Sequence, residues 1–284
     1  MSPTLIESLC SWAISLRAED VPPRIFEAAK IQIRSVLAAT FAGSQSATGK
    51  QCKFAALQLS THGKATILPT GESVAPYAAV LANAAFSMVH DFDDYLFLGH
   101  TGHSAVLASL AVAEDVDASL GDMILAQIAA NEVAGRLGAY VAIGPQNGQL
   151  WAHIHLAAAV VAGARLYKMS AAQAADALAI AFHQPPFTLF YGFMASEAKA
   201  MTAAQPTATG LYALSLAKAG MRGGREILEH RRGFATHFAF IPVEETLRGL
   251  GSSWVLDTLS CKIYPGCAYI DGPVDAVLKA TGGR

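Results

Sequence analysis

The chain has 284 residues, of which 53% are hydrophobic and only 15% charged, with a formal net charge of -2. Soluble domains typically carry about 25% charged residues, so two classes compete: a membrane protein, or a chain that hides extra apolar surface in an oligomer. The near-neutral charge gives no electrostatic case for nucleic acid or an anionic membrane as partner.

The longest apolar candidate, residues 156–164, is about half of the roughly 18 to 20 residues a bilayer span needs, so no transmembrane helix is expected. The first residues show no basic region ahead of an apolar core, which leaves a cytoplasmic location as the expectation. Cys10, Cys52, Cys261 and Cys267 are scattered without zinc-ligand spacing and are expected to be reduced thiols.

In chain order, residues 4–17 carry apolar positions at Leu5, Ile6, Leu9, Trp12, Ala13 and Leu16, the pattern of an amphipathic helix. Pro22-Pro23 opens a second helix expected to run to about Phe41 and to stop at Gly43. A third spans roughly 49–59, and residues 65–69 form a short extended piece ending in a turn. Helices follow at about 74–89, 103–114, 119–143, 151–168, 170–183, 195–220 and 243–249, with Ser119 and Ser170 as N-caps. Their high density of alanine lets helices approach closely, which predicts an all-α bundle. Residues 259–264 alternate like a strand that lacks a visible partner, Pro265-Gly266 turns the chain, and 269–280 resumes a helix. The expected division is therefore an all-α domain over 1–258 and the beginning of an incomplete α+β lid domain over 259–284.

The chemistry concentrates in residues 90–103, where Asp91, Asp93 and Asp94 share fourteen residues with His90, His100 and His103. One aspartate alone would be read as a solvated loop or a helix cap. Carboxylates and imidazoles held together between buried helices can shift one another toward neutral titration, as general acid–base work requires. A metal site is the rival reading, because both side chains are good ligands, yet no clear third and fourth ligand accompanies them. His153 and His155 stand one residue apart, and on a helix they point in different directions. Lys199 is isolated among small residues, and Lys262 lies on the half-buried strand; each is either an outward-facing charge or an anion clamp. Capping of a helix end accounts for His183. Phosphate loops, a GxSxG elbow and a CxxC motif are absent.

These residues resemble the MmgE/PrpD family, which includes 2-methylcitrate dehydratase, cis-aconitate decarboxylase and iminodisuccinate epimerase. The matching pieces are Asp91-Phe92-Asp93-Asp94, the His turn into Ser104-Ala105-Val106-Leu107, Ala177–Ala181, Lys199, Gly233-Phe234 and Lys262-Ile263-Tyr264-Pro265-Gly266-Cys267. The resemblance implies a large all-α domain carrying an α+β lid, a homodimer built on the helical domain, no metal and no organic cofactor, and a small carboxylate substrate. Carried over by position, the pocket aspartate falls on Asp91, the loop histidine on His103 or His100, the second histidine on His153 or His155, and the two lysines on Lys199 and Lys262. Asp91, His103, His100, His155 and Lys199 are thus the catalytic candidates, and Lys262, His153, Tyr95 and Tyr264 the substrate-binding ones.

Tyr95 stands where relatives often have Thr or Ser, and Asp271 where they usually have His, so the substrate is open. Members of the family are commonly longer than this chain, which raises the expectation of a second polypeptide supplying the lid. The reaction expected is that of a hydro-lyase, by proton removal alpha to a carboxylate and loss of water. A decarboxylase or epimerase would use the same carbanion chemistry. The other classes are a non-catalytic helical subunit that completes a partner's site and a metal-dependent lyase.

Overall fold

The computed structural model describes residues 3–283. Helix α1 (Leu5–Ser15) starts at a reciprocal cap in which Thr4 Oγ1 accepts the Glu7 N–H and the Glu7 carboxylate accepts the Thr4 N–H. Then come α2 (Pro23–Ser44), opened by a proline in its first turn, and α3 (Ala47–Leu59). Strand β1 (Ala65–Ile67) pairs antiparallel with β2 (Glu72–Val74), so the extended piece expected near 65 is half of a hairpin. Helix α4 (Pro76–Val89) follows. Gly43 does not end α2 as expected. It is a contact point between helices, where a Cβ would come within 1.9 Å of the Phe86 carbonyl oxygen on α4.

The short β3 (Asp94–Leu96) leads into α5 (Gly102–Asp115), α6 (Leu120–Tyr140), α7 (His153–Leu166) and α8 (Ala171–Ala181). Ser119 and Ser170 cap α6 and α8 as expected, Ser170 with Gln173 as a full capping box. α7 is buried on nearly every face, so its residues read as a continuous apolar run.

The helix expected over 195–220 starts past Ser196, whose backbone is extended and whose hydroxyl donates to Gly192 O and accepts the Ala198 N–H. It is a 3-10 turn at Glu197–Ala200 that carries Lys199, followed by α10 (Met201–Lys218), which packs on α4, α7 and α8; α9 (Phe190–Ala195), ahead of Ser196, was not anticipated. α11 (Phe234–Phe238) was not anticipated. Residues 243–249 form only a 3-10 turn at Glu244–Leu247. Here the Arg136 guanidinium donates to the carbonyls of Thr246, Arg248 and Ser253, and these side-chain bonds satisfy the loop in place of helical ones.

The terminal strand also differs from expectation. β4 (Leu259–Cys261) is shorter than residues 259–264 and has a partner, pairing antiparallel with β3 in the register Asp94↔Cys261, Tyr95↔Ser260 and Leu96↔Leu259. The partner was hidden because β3 lies within the acidic stretch that reads as a loop. α12 (Asp271–Ala280) closes the described chain. With twelve α-helices and two two-stranded sheets among the described residues, the architecture is all-α. No helix among those residues is long and apolar enough to cross a membrane.

Candidate active site

Where α4 ends, Asp91 adopts a left-handed backbone with φ of 52°, a conformation that aspartate tolerates better than most side chains. This turn aims both its carbonyl and its carboxylate at the incoming C-terminal segment. Lys262 Nζ donates to Asp91 O at 3.0 Å and to Asp91 Oδ1 at 2.5 Å, and the Gly266 N–H also donates to Asp91 O at 3.0 Å. Lys199 Nζ donates to Asp91 Oδ2 at 2.9 Å, and Gln149 Nε2 donates to Asp91 Oδ1. Burial by itself would raise the Asp91 carboxyl, but Lys262, Lys199 and Gln149 together hold it below the ordinary value.

Asp93 is the hub one layer deeper. Its Oδ1 accepts from Lys262 Nζ at 2.8 Å, while its Oδ2 lies 2.5 Å from His100 Nδ1 and 3.0 Å from His103 Nε2. The last pair is in ion-pair range without being aligned as a hydrogen bond. Burial opposes ionisation of Asp93, yet the two imidazoles outweigh it and keep this carboxyl well below its usual range. Lys262, only 6% exposed, remains charged because Asp93 and Asp91 more than offset its burial.

Asp94 faces away from these charges. Its Oδ2 accepts from Gln32 Nε2 at 2.8 Å, and Gln32 Oε1 accepts from Gln127 and Asn131, both at 2.7 Å. Thr101 Oγ1 donates to Asn131 Oδ1 at 2.5 Å, which ties the His-bearing turn to α6. Burial, with some help from the Asp93 charge, pushes the Asp94 carboxyl up to about 7 against the Gln32 hydrogen bond.

The two histidines of α7 part company, as residues two apart on a helix must. His155 lies with its ring centroid 6.0 Å from that of His103, and its Nδ1 is 2.9 Å from Ser104 Oγ. Burial and the neighbouring histidine charges hold it well below the ordinary imidazole value, so it is neutral. His153 instead sits among Trp151, Phe182, Phe234 and Phe238, with no hydrogen-bond partner on either ring nitrogen. Its burial lowers its pKa to about 3.

The fold thus brings together Asp91, His100, His103, His155, Lys199 and Lys262, with the Tyr95 ring 5.9 Å from His100. His153 is in the aromatic core, and the Tyr264 hydroxyl donates to Asp275 Oδ1 at 2.8 Å on α12. Gln149, Ser87 and Ser104 were not anticipated, since a single polar residue in a helical run carries no pattern. Asp93, which is not among the sequence candidates, touches Lys262, His100 and His103. The density of aspartates was its visible signal.

Beside Lys199 opens a cavity of about 380 Å³ lined by Thr48, Val89, Met194, Ser196 and Glu197. A groove of about 1220 Å³ between α1, α8 and residues 224–233 contains none of the candidate residues. Asp93, His100 and His103 present ligand atoms within 4.8 Å of one another, the spacing of a divalent-metal set. Lys262 already supplies a positive charge to that carboxylate.

The helical bundle thus carries a buried Asp–His–Lys cluster where β3 and β4 meet. The sequence pattern of the MmgE/PrpD N-terminal domain matches residues 7–242, and the chain belongs to that family. It is 29% identical to the cis-aconitate decarboxylase of Aspergillus terreus over 96% of this chain and 59% of that protein. It is 24% identical to a cis-aconitate decarboxylase-like protein of Aspergillus oryzae over 95% of this chain and 60% of that protein. The chain therefore spans about three-fifths of the length of the curated relatives it matches.

Proposed function

We propose that the chain carries the helical part of a lyase active site that acts on a small polycarboxylate by proton transfer at a carbon next to a carboxylate. The observation that supports this most is the convergence of two ammonium groups, Lys199 and Lys262, on Asp91 beside three imidazoles. Lys199 and Lys262 are held by Asp91 and Asp93, and substrate carboxylates can compete with those aspartates for the same donors. The imidazoles supply the proton transfer, and the lysines stabilise negative charge that develops on a carboxylate in the transition state.

Among reactions of this kind, the names of the relatives favour carbon–carbon cleavage over the dehydration expected from sequence. In that reaction the bond to one carboxyl breaks and CO2 leaves. The electron pair spreads into a neighbouring unsaturated carboxylate held by a lysine. It then takes a proton from an imidazolium, so that one proton is consumed per turnover. The exposed side chains Phe187, Leu189, Phe190 and Tyr191 support a further part of the reading, a homodimer formed through the helical domain.

The test is to incubate the full chain with cis-aconitate and, separately, with 2-methylcitrate while measuring CO2 release and water loss. CO2 from cis-aconitate is the expected result. Water loss without CO2 would favour the hydro-lyase, and neither product would favour a non-catalytic subunit.

A further inference from the structure

Three imidazoles surround the cluster, but their nitrogens are not equally engaged. His103 Nε2 faces Asp93 Oδ2 at 3.0 Å, and its Nδ1 lies 2.7 Å from Ser87 Oγ. Both ring nitrogens face protein, although the Nε2–Asp93 pair is in ion-pair range without being aligned as a hydrogen bond. His100 Nδ1 lies 2.5 Å from Asp93 Oδ2, so a carboxylate sets that ring; His155 is set by a hydroxyl instead, its Nδ1 lying 2.9 Å from Ser104 Oγ, and the Nε2 of each has no hydrogen-bond partner among the described residues.

The direction of the Ser104 hydroxyl decides what that means. A serine has one proton to give. Thr101 O at 3.1 Å and His155 Nδ1 at 2.9 Å are both within its reach, and given to Thr101 O it leaves the hydroxyl lone pairs toward the ring. A lone pair facing Nδ1 at 2.9 Å requires the proton to be on Nδ1. Since His155 is neutral, Nε2 must then carry the free lone pair. His153, two positions earlier on α7, is the internal contrast: neither of its ring nitrogens has a hydrogen-bond partner, and nothing fixes its tautomer.

We propose that Ser104 is a positioning residue that holds His155 in the Nδ1–H tautomer, making His155 Nε2 the atom that exchanges a proton with substrate, while His103 stays fixed between Asp93 and Ser87. This rests on the acid–base reading above. As a base, Nε2 takes the substrate proton, the carbon–hydrogen bond breaks, and its electron pair remains on the substrate. As an acid, Nε2 first takes a proton from water, and that N–H bond then breaks as the proton goes to carbon, which is the one proton that decarboxylation consumes. In both directions Nδ1–H stays on Ser104, so the ring keeps its orientation and no buried nitrogen loses its partner.

The test reads the tautomer without needing turnover. In the full chain labelled with 15N-histidine, long-range 1H–15N spectra should show His155 with a protonated Nδ1 and an unprotonated Nε2. Ser104→Ala should move part of the population to the Nε2–H tautomer, and Ser104→Thr, which keeps the hydroxyl, should restore it. A protonated Nε2 in the unsubstituted chain, or an unchanged tautomer in Ser104→Ala, overturns the proposal. The first of these needs no variant to fold. Where the chain turns over cis-aconitate, Ser104→Ala should lower kcat about tenfold or more with little change in KM, since general acid–base groups contribute roughly 100- to 10,000-fold. A rise in KM with kcat unchanged would also overturn it. A chain inactive on every carboxylate tried, but with the expected tautomer, would count against the lyase reading and not against this assignment.

Discussion

Lys262 Nζ lies 2.8 Å from Asp93 Oδ1, although 169 residues separate the two in sequence. The contact exists because β4 pairs with β3 and delivers the lysine directly over the acidic turn. Both side chains are almost fully buried, with 1% of each exposed. Breaking such a pair leaves a buried charge uncompensated, at a cost of about 3–5 kcal/mol. Lys262→Met should therefore lower the unfolding free energy by about that amount, read from the urea midpoint at constant m value. Retained stability would mean that the two aspartates are paired well enough by the imidazoles and Lys199 alone.

The same contact bears on metal dependence. Asp93, His100 and His103 have metal-set spacing, but the ammonium of Lys262 already compensates the carboxylate, and a divalent cation would have to displace it or sit against it. Activity should consequently survive exhaustive chelation, and added zinc should inhibit by competing for the imidazoles. Loss of turnover on chelation, restored by one particular metal, would reverse this expectation.

Much of this was legible in the sequence because helices announce themselves through period and caps. Ser119 and Ser170 each mark a helix start that the structure bears out. The clustering of aspartates and histidines over residues 90–103 likewise pointed to the turn where the structure gathers charged side chains. Strand pairing did not show, because Asp94-Tyr95-Leu96 is too short to alternate and its partner is far away in sequence. The short α9 ahead of Ser196 was equally silent: a serine hydroxyl that bonds the backbone on both sides separates it from the next turn without any glycine or proline at that point to signal it. Which of His153 and His155 faces the cluster depends on the rotation of α7, which packing sets and composition does not record.

Asp94 gives a pH dependence of definite sign. Its folded value of about 7 lies above the ordinary 3.8, so the folded chain keeps a proton that the unfolded chain has lost. The associated stability is fully present below pH 3.8 and drains away as the pH rises to about 7, by roughly 1.4 kcal/mol per unit. Asp94→Asn imitates the neutral acid and keeps an oxygen for Gln32. The variant should gain stability over the unsubstituted chain as the pH goes from 4 to 8, measured by urea unfolding at each pH (about pH 4 to pH 8 spans the transition). A constant difference across that range would show that Asp94 does not bind the proton in the folded state.

His153 works in the opposite sense. Its ring is buried among Trp151, Phe182, Phe234 and Phe238 without a hydrogen bond, so only the neutral form fits, and its pKa falls to about 3 from 6.5. Between those values the unfolded chain binds a proton that the folded chain refuses. Stability is then whole above pH 6.5 and lost as the pH falls toward 3, again by up to about 1.4 kcal/mol per unit. His153→Phe removes the titrating group and keeps an aromatic ring in an aromatic site. Its absolute stability can move either way, because phenylalanine is larger than histidine and overpacking costs about 1–3 kcal/mol. The slope is therefore the measurement: urea unfolding at several pH values between 7 and 4 should show the variant losing less stability on acidification than the unsubstituted chain (about 1 kcal/mol less per unit at the steepest part). Parallel slopes would place a proton, or a water that accepts one, on the His153 ring in the folded state.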